Sequence, residues 1–168
     1  MEIRIRTVED EEDVRFFDRL NFESYKLEFL RGKEIAEEEA RRMFEEFEKA
    51  DPLDPWGVDH QVLFAADEVG TLMGLIWLAR REPFYVFKEQ LAWIYNLHIV
   101  PEHRRRGVAR RLLGEAEEWS RLERLRSIGL HVIDFNKPAR SLYESVGYEL
   151  VATHNDSCFY EKRIEPST

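Results

Sequence analysis

The residues best placed to do chemistry lie in the short segment RRRGVA, residues 104–109. It stands between an apolar run, residues 92–100, and an amphipathic segment that begins at Val108. A strand that passes through a basic, glycine-containing loop into a helix brings free backbone N–H groups and the positive end of the helix dipole to one point. The segment therefore predicts a binding site for an anion.

The distribution of charge also favours an anion site in this place. Five of the eight residues from 104 to 111 are arginine, although the chain as a whole has a net charge of −9. An acidic chain lacks the extended positive surface that a nucleic-acid-binding protein needs. A local arginine cluster is instead suited to one small polyanion, although Arg110 and Arg111 fit equally well as solvated surface charge.

The chain has a single cysteine, Cys158, which excludes an internal disulfide framework and every multi-cysteine metal site. Its strand-like alternation with polar neighbours favours a buried structural side chain over a nucleophile. No metal site is predicted.

The N-terminus is too charged for a secretory signal, and no apolar run approaches the roughly 20 residues of a membrane span. We expect a cytoplasmic protein with neither a membrane nor a nucleic-acid partner.

Apolar periodicity and turn residues predict the elements that position the glycine loop. Two helices follow the first strand, and three strands lead into the loop; a helix, a strand, a helix and two strands then complete an α/β (α+β) domain. The predicted strands cover residues 2–8, 62–66, 71–79, 91–100, 128–134, 149–153 and 158–164, and the predicted helices cover residues 13–29, 35–49, 108–122 and 136–147.

Apolar spacing also predicts which helix faces are buried. The third helix has Val108, Leu112, Ala116 and Trp119 in one stripe, and the first two helices include Phe29 and Phe47 in their apolar faces. The connection before the fourth strand contains three aromatic residues, Phe84, Tyr85 and Phe87. It is either a flap over a pocket or a loop that packs into the core.

Two motifs, separated by a predicted strand, resemble those of the GNAT family of N-acetyltransferases. The first family motif is Arg or Gln, two residues, Gly, one residue, and Gly or Ala, and it is matched by Arg104, Gly107 and Ala109. The second is matched by Asn136, Ala139, Leu142, Tyr143, Gly147 and Tyr148. The resemblance implies one domain over residues 1–168 with a GNAT-like acyl-CoA N-acyltransferase fold. This fold has a mixed, mostly antiparallel sheet of about six to seven strands flanked by four helices.

The resemblance further implies that the anion is the diphosphate of coenzyme A. Acetyl-CoA would then acetylate a primary amine by direct attack in a ternary complex. In the family, the pantetheine arm lies along the fourth strand, inside an opening between the fourth and fifth strands. The residues implied for coenzyme binding are Leu97, His98, Ile99, Arg104, Arg105, Arg106, Gly107, Val108, Ala109, Arg110, Asn136, Ala139 and Tyr143.

The resemblance implies chemical roles for Tyr143 and for the backbone of Leu97, and Tyr95 is the first candidate for the base. The Tyr143 hydroxyl would stabilise or protonate the departing thiolate, although its ring also suits the core, and Asn136 also suits a helix cap. The backbone N–H of Leu97 would stabilise the oxyanion. A base must deprotonate the amine, but residues 93–100 contain no carboxylate. The candidates are Tyr95, His98, His60, and a water chain to a distant carboxylate such as Glu23.

Two other kinds of function remain open at this point. An acyl-CoA-binding regulatory module would keep the anion site without turnover, and an acetyl-enzyme relay would need a nucleophile, for which Cys158 is the only thiol.

The expected amine acceptor is a small molecule or a peptide. The acidic helices and the loop at residues 51–59 favour a cationic amine, unless they only keep the protein soluble. The exposed last strands permit a homodimer.

Overall fold

The computed structural model describes residues 1–166 and contains seven strands and four helices in that part of the chain. The strands are β1 (Arg4–Arg6), β2 (His60–Ala66), β3 (Leu72–Arg81), β4 (Leu91–Ile99), β5 (Ser127–Ile133), β6 (Glu149–His154) and β7 (Ser157–Arg163). The helices are α1 (Glu11–Phe29), α2 (Glu37–Ala50), α3 (Val108–Leu122) and α4 (Lys137–Ser145), with a 3₁₀ helix at Pro101–His103. The predicted order of elements is confirmed.

All seven strands belong to one mixed sheet, in the order β1-β2-β3-β4-β5-β7-β6. Every neighbouring pair is antiparallel except β4 and β5, which run parallel. This arrangement confirms the predicted mixed, mostly antiparallel sheet flanked by four helices. The one parallel contact lies in the middle of the sheet, where β4 leads into the glycine loop.

The two faces of the sheet are covered by different helices. On one face, Phe16, Phe17 and Leu20 of α1 pack against β2 and β3, and α2 packs onto α1 rather than onto the sheet. On the other face, α3 and α4 bury the largest apolar cluster, which includes Leu112 and Tyr143. The predicted stripe of α3 is buried there, with Trp119 only partly covered.

The prediction that Phe29 and Phe47 lie on buried helix faces is wrong. Phe47 is 49% exposed and Phe29 is 43% exposed. The reason is that α2 contacts α1 chiefly through Ala40 and Phe44, so Phe47, one turn later, reaches only the margin of this contact. There the two rings pack on each other and on Tyr25 instead of entering the core.

Several element boundaries differ from the sequence-based ones. β1 is shorter than residues 2–8, because the chain leaves the sheet after Arg6 to enter the cap of α1. β3 extends beyond Ala79 because Arg80 and Arg81 continue the ladder to β4, opposite Ala92 and Leu91. The 3₁₀ helix after β4 was not predicted.

The start of α1 is anchored to β1 by a buried carboxylate. The side chain of Asp10 caps the helix by accepting the N–H of Asp13 at 3.0 Å. Asp13 is itself buried and accepts two N–H bonds from the guanidinium of Arg6, at 2.6 and 2.9 Å. The hydrogen bond from Arg6 is the main cause that lowers the pKa of Asp13. This pair fixes where α1 begins over the sheet.

We expect the Asp13→Ala variant to lose about 3 kcal/mol of unfolding free energy, because it leaves a part-buried guanidinium without its partner. Urea denaturation monitored by circular dichroism would measure this loss. Glu11→Ala is the matched control, since Glu11 lies in the same turn and forms only an exposed ion pair with Arg15. Equal losses in the two variants would contradict an anchoring role for Asp13.

Candidate active site

The glycine loop exposes a continuous row of backbone N–H groups. Gly107 has a φ of +80° and immediately precedes α3, and Arg105 is also left-handed, with a φ of +62°. Among residues 1–166, no acceptor is present for the six consecutive N–H groups from residue 105 to residue 110. A β-carbon on Gly107 would meet no protein atom within 4 Å, so the space beside this row is open. Such a row at a helix start is suited to an anion.

The arginines of the loop divide into two kinds. Arg104 donates from Nε to the Ile99 carbonyl at 2.9 Å, and Arg110 donates to Ser145 Oγ at 2.9 Å, so these two brace the loop against β4 and α4. Arg105 and Arg106 are exposed and, within the described chain, form no ion pair or side-chain hydrogen bond. Their guanidinium groups are therefore available to an anion.

β4 and β5 pair at only two positions and then separate. Ala92 pairs with Ile128, and Trp93 pairs with Gly129. A β-carbon on Gly129 would lie 2.8 Å from Leu91 Cδ1 and 2.9 Å from the Trp93 ring, so glycine is required where the strands are closest. Beyond this point the β5 side of β4 has no strand partner. The opening that the resemblance implied is present.

The N–H groups that face the opening follow from the ladder between β3 and β4. The N–H of Val100 donates to the Met73 carbonyl at 2.9 Å. Because N–H direction alternates along an antiparallel strand, the N–H of His98 also faces β3, whereas those of Leu97 and Ile99 face the opening. Of the three backbones predicted to bind pantetheine, two are thus directed into the opening and His98 is not.

A bulge in β4 changes which side chains face α1. Trp77 pairs with Asn96 but the next residue, Leu78, pairs with Ile94, so Tyr95 has no partner on β3. As a result, Tyr95 and Asn96 both lie on the α1 face: Tyr95 packs on Trp77 and Asn96 bonds to Asn21 of α1.

A chain of polar contacts joins α1 to this part of β4. Asn96 donates to Asn21 Oδ1 at 2.7 Å, Ser24 Oγ donates to Asn96 Oδ1 at 3.0 Å, and Ser24 Oγ lies 2.7 Å from His98 Nδ1. Sequence analysis did not single out Asn21, Ser24 or Asn96. A signal is visible in retrospect, since polar residues at 21, 24 and 28 form a stripe with helical spacing beside the apolar face of α1.

The candidate bases differ in their surroundings. Burial, with the nearby charge of Arg104, lowers the pKa of His98 to about 4. Burial also lowers the pKa of His60, whose Nδ1 accepts the indole N–H of Trp77 at 3.0 Å. Burial raises the pKa of Tyr95, which stacks on His60. Glu23 pairs with Lys26 Nζ at 2.9 Å.

The acidic loop at residues 51–59 lies close to this face. Trp56 packs against Phe17 of α1. The charges of Asp54 and Asp59 oppose the burial effect on the pKa of His60. At the other end of α1, Glu28 and His131 of β5 lie 2.8 Å apart, so α1 reaches across the opening.

On α4, the Tyr143 ring is buried and packs against the rings of Tyr148 and Tyr160. The ring is therefore part of the core, which was one of the two roles considered from the sequence. Its hydroxyl has no partner within residues 1–166 and is not among the fully buried unpartnered atoms there, so it reaches solvent. Burial raises the pKa of Tyr143, which keeps the phenol protonated at neutral pH. Asn136 Oδ1 accepts the N–H of Ala139 at 3.3 Å and caps the helix.

Of the two alternatives for the aromatic connection before β4, the structure supports the loop that packs into the core. Phe84 and Phe87 exchange backbone hydrogen bonds of 3.1 and 2.8 Å, and Phe87 is buried against Trp93. Between them, Tyr85 is 55% exposed at a φ of +50°. The base of the connection therefore packs into the core, and at its tip the half-exposed Tyr85 ring packs on Phe159 of β7.

Cys158 is buried in the main core, in keeping with a structural side chain. Within residues 1–166, no group of three or more His, Cys, Asp or Glu side chains is arranged to hold a metal ion. No helix in this part of the chain has the length and apolarity required to cross a membrane.

Comparison with known proteins matches residues 14–148 to the acetyltransferase (GNAT) family. An uncharacterized N-acetyltransferase of Bacillus subtilis, YycN, is 31% identical over 78 residues, which are 46% of this chain and 48% of that protein. The chain thus aligns with about half the length of this relative.

Two solved structures cover nearly the whole chain. A Pyrococcus furiosus protein described as an acetyl transferase is 29% identical, with a TM-score of 0.72 over 92% of this chain and 97% of that one. The PaiA N-acetyltransferase of Thermoplasma acidophilum, solved in complex with coenzyme A, is 22% identical, with a TM-score of 0.70 over 97% and 99%. With the family match over most of its length and both motifs in place, the chain belongs to the GNAT family of acetyltransferases.

Proposed function

We propose that this protein is an acetyl-CoA-dependent N-acetyltransferase that acetylates a primary amine by direct attack in a ternary complex. The observation that carries this proposal is the row of six free N–H groups at residues 105–110, next to an open strand edge with two more at Leu97 and Ile99. The row matches a diphosphate, and the edge matches the amides of pantetheine. Coenzyme A contains both groups.

The coenzyme contacts divide between backbone and side chains. The N–H groups of residues 105–110 hold the diphosphate, with added charge from Arg105 and Arg106. Arg104 and Arg110 act mainly as braces, since their side chains already bond to Ile99 and Ser145. Ala139 and Asn136 form the first turn of α4, and Tyr143 lies on the same helix.

The reaction needs charge stabilisation at two atoms. The amine nitrogen attacks the thioester carbon, and the carbonyl electrons move to oxygen, where the N–H of Leu97 stabilises the negative charge. When the adduct collapses, the C–S bond breaks and its electrons go to sulfur. The protonated Tyr143 hydroxyl then donates its proton to the thiolate and recovers one from solvent.

The acceptor approaches from the α1 face, because α3 and α4 fill the opposite face of the sheet with core side chains. Carboxylates surround this approach. Arg81 and Asp51 act in opposite directions on Tyr95, whereas Asp54 and Asp59 both act on His60, and α2 exposes a row of glutamates. Such a field favours a cationic amine, either a small molecule or a basic peptide.

Turnover separates this function from a regulatory module that binds acyl-CoA without reaction. The test is a panel of amines, including spermidine, a lysine-rich peptide and glutamate, scored by free thiol release from acetyl-CoA. We expect thiol release in stoichiometric proportion to acetylated amine. Tight acetyl-CoA binding without release for any amine would favour the regulatory module. Acetyl transferred to the protein itself before the amine is added would favour an acetyl-enzyme relay.

The N–H row predicts a selective loss of coenzyme binding in the Gly107→Ala variant. The methyl group enters the open space beside the row, and the left-handed backbone adds about 1 kcal/mol of strain. Gly70→Ala is the matched control, because Gly70 has a φ of +91°, equally open surroundings and a place in the distant β2–β3 turn. We expect similar losses of stability, but weaker acetyl-CoA binding by calorimetry only at position 107. Unchanged affinity there would place the diphosphate elsewhere.

Tyr143→Phe removes only a hydroxyl, so we expect kcat to fall by roughly ten- to a thousand-fold with little change in acetyl-CoA affinity. Tyr148→Phe is the control, because the hydroxyl of this neighbouring tyrosine is buried without a partner. Steady-state kinetics with chemistry rate-limiting would compare the two. If both variants kept the wild-type kcat, Tyr143 would have no role as an acid.

The acidic approach predicts that spermidine or a lysine-rich peptide has a higher kcat/KM than glutamate. It also predicts that this kcat/KM falls as salt rises, since the screening length is about 8 Å at physiological ionic strength. Initial rates over a salt series would measure both effects. A preference for glutamate, or turnover of the cationic acceptor that is independent of salt, would show that charge does not select the acceptor.

A further inference from the structure

We propose that Nε2 of His98 accepts the proton of the attacking amine, and that Ser24 and Asn96 hold His98 in the tautomer that leaves this nitrogen free. The proposal rests on the acetyl transfer proposed above and adds a base, together with the residues that position it. No other candidate base has a comparable network.

The direction of the hydrogen bonds determines the tautomer. Asn96 Nδ2 donates to Asn21 Oδ1 at 2.7 Å, which turns Asn96 Oδ1 towards Ser24. The single hydroxyl proton of Ser24 then goes to Asn96 Oδ1 at 3.0 Å. Because Ser24 has no second proton, the contact of 2.7 Å to His98 requires Nδ1–H of the imidazole to donate to Ser24 Oγ.

A neutral imidazole has one proton, so Nε2 of His98 carries a lone pair. Within the described residues, Nε2 has no partner, and it is not among the buried unpartnered atoms, which are His103 Nδ1 and the Tyr148 hydroxyl. Nε2 therefore reaches solvent. His98 follows Leu97 in β4, and its side chain lies on the α1 face, from which the acceptor approaches. The base and the N–H proposed for the oxyanion are thus one residue apart.

The other candidates have contacts or surroundings that favour this role less. The indole N–H of Trp77 can only donate, so it occupies the Nδ1 lone pair of His60 and leaves the proton on Nε2. A second proton on His60 would break this bond. Burial raises the pKa of Tyr95, so its phenol stays protonated at neutral pH, and Glu23 is paired with Lys26.

The groups around His98 keep it neutral at physiological pH. Burial and the charge of Arg104 disfavour the imidazolium. From α1, the charge of Glu23 favours it, whereas Asn21 and Ser24 of the same helix are uncharged. The lone pair is therefore available before the substrate binds. The charged form arises only when a proton arrives from the adduct.

The proton count closes with this base. The attacking amino group first releases its ammonium proton to solvent. The neutral nitrogen then forms the N–C bond and becomes a positively charged nitrogen in the adduct, which loses one proton to His98 Nε2. The C–S bond then breaks, and the thiolate takes a proton from Tyr143. The imidazolium returns its proton to solvent, and Tyr143 regains one. The products are the neutral amide and free thiol, with no further reactant.

The tautomer can be measured without any substrate. In the full chain labelled with ¹⁵N at its five histidines, two-bond ¹H–¹⁵N spectra at pH 7 distinguish protonated from unprotonated ring nitrogens. The signals that disappear in His98→Gln assign His98. We expect Nδ1–H for His98 and Nε2–H for His60. In Ser24→Ala, His98 should shift towards a mixture of tautomers, and Ser24→Thr, which keeps the hydroxyl, should restore Nδ1–H.

Kinetics with spermidine as the acceptor test the role in turnover. We expect His98→Gln to lower kcat about a hundredfold and Ser24→Ala about tenfold, with unchanged KM for acetyl-CoA and recovery in Ser24→Thr. If Ser24 had only a structural role, kcat would not change together with the tautomer of His98 across these variants. Nε2–H on His98 in the wild type, or a kcat within threefold of it in His98→Gln, would overturn the assignment in an active enzyme. Absence of turnover of every amine in the wild type would instead overturn the proposed function.

Discussion

The rest of the site depends on one constraint: β4 leaves its parallel neighbour after two residue pairs, although every strand has backbone groups that need partners. The N–H groups of Leu97 and Ile99 face the gap, and their hydrogen bonds must come from water or from a ligand with amide-like acceptors. Gly129 makes the short contact feasible, because a side chain there would collide with Leu91 and Trp93. The gap is therefore part of the sheet's architecture: β4 and β5 are paired at one end of it and separated at the other.

The open end is adjacent to the glycine loop, and the two features share one physical basis. In both, the binding groups are backbone N–H groups whose positions are set by the fold rather than by flexible side chains. Arg104 shows this division directly, because its Nε holds the carbonyl at the end of β4 and only the terminal nitrogens of its guanidinium remain for a ligand. A binding site formed by backbone N–H groups needs side chains that hold the loop in position, and Arg104 and Arg110 do this.

The sequence was sufficient for the features that depend on local spacing. The glycine loop, the start of α3, the cap at Asn136 and the order of elements all follow from residues close together in the chain. The polar chain was not accessible in this way, because Ser24 and His98 are 74 positions apart and meet only after α1 packs on β4. The exposure of Phe29 and Phe47 at the helix margins was not predicted for a related reason. Whether Phe47 is covered depends on how far α2 overlaps α1, which apolar periodicity does not specify.

The bulge at Tyr95 explains how one strand could contact both of the proposed substrates. In a regular strand, side chains alternate between faces, and a polar pair such as Asn96 and His98 would continue the pattern set by Ile94 on the core side. The extra residue reverses this alternation, so Ile94 and Leu97 face the core while Asn96 and His98 face α1. The edge of β4 beyond the bulge offers N–H groups to the proposed coenzyme, and its side chains offer polar groups to the proposed acceptor. Because both sets lie on the same few residues, the backbone of one strand would bring together the reacting atoms of the two proposed substrates.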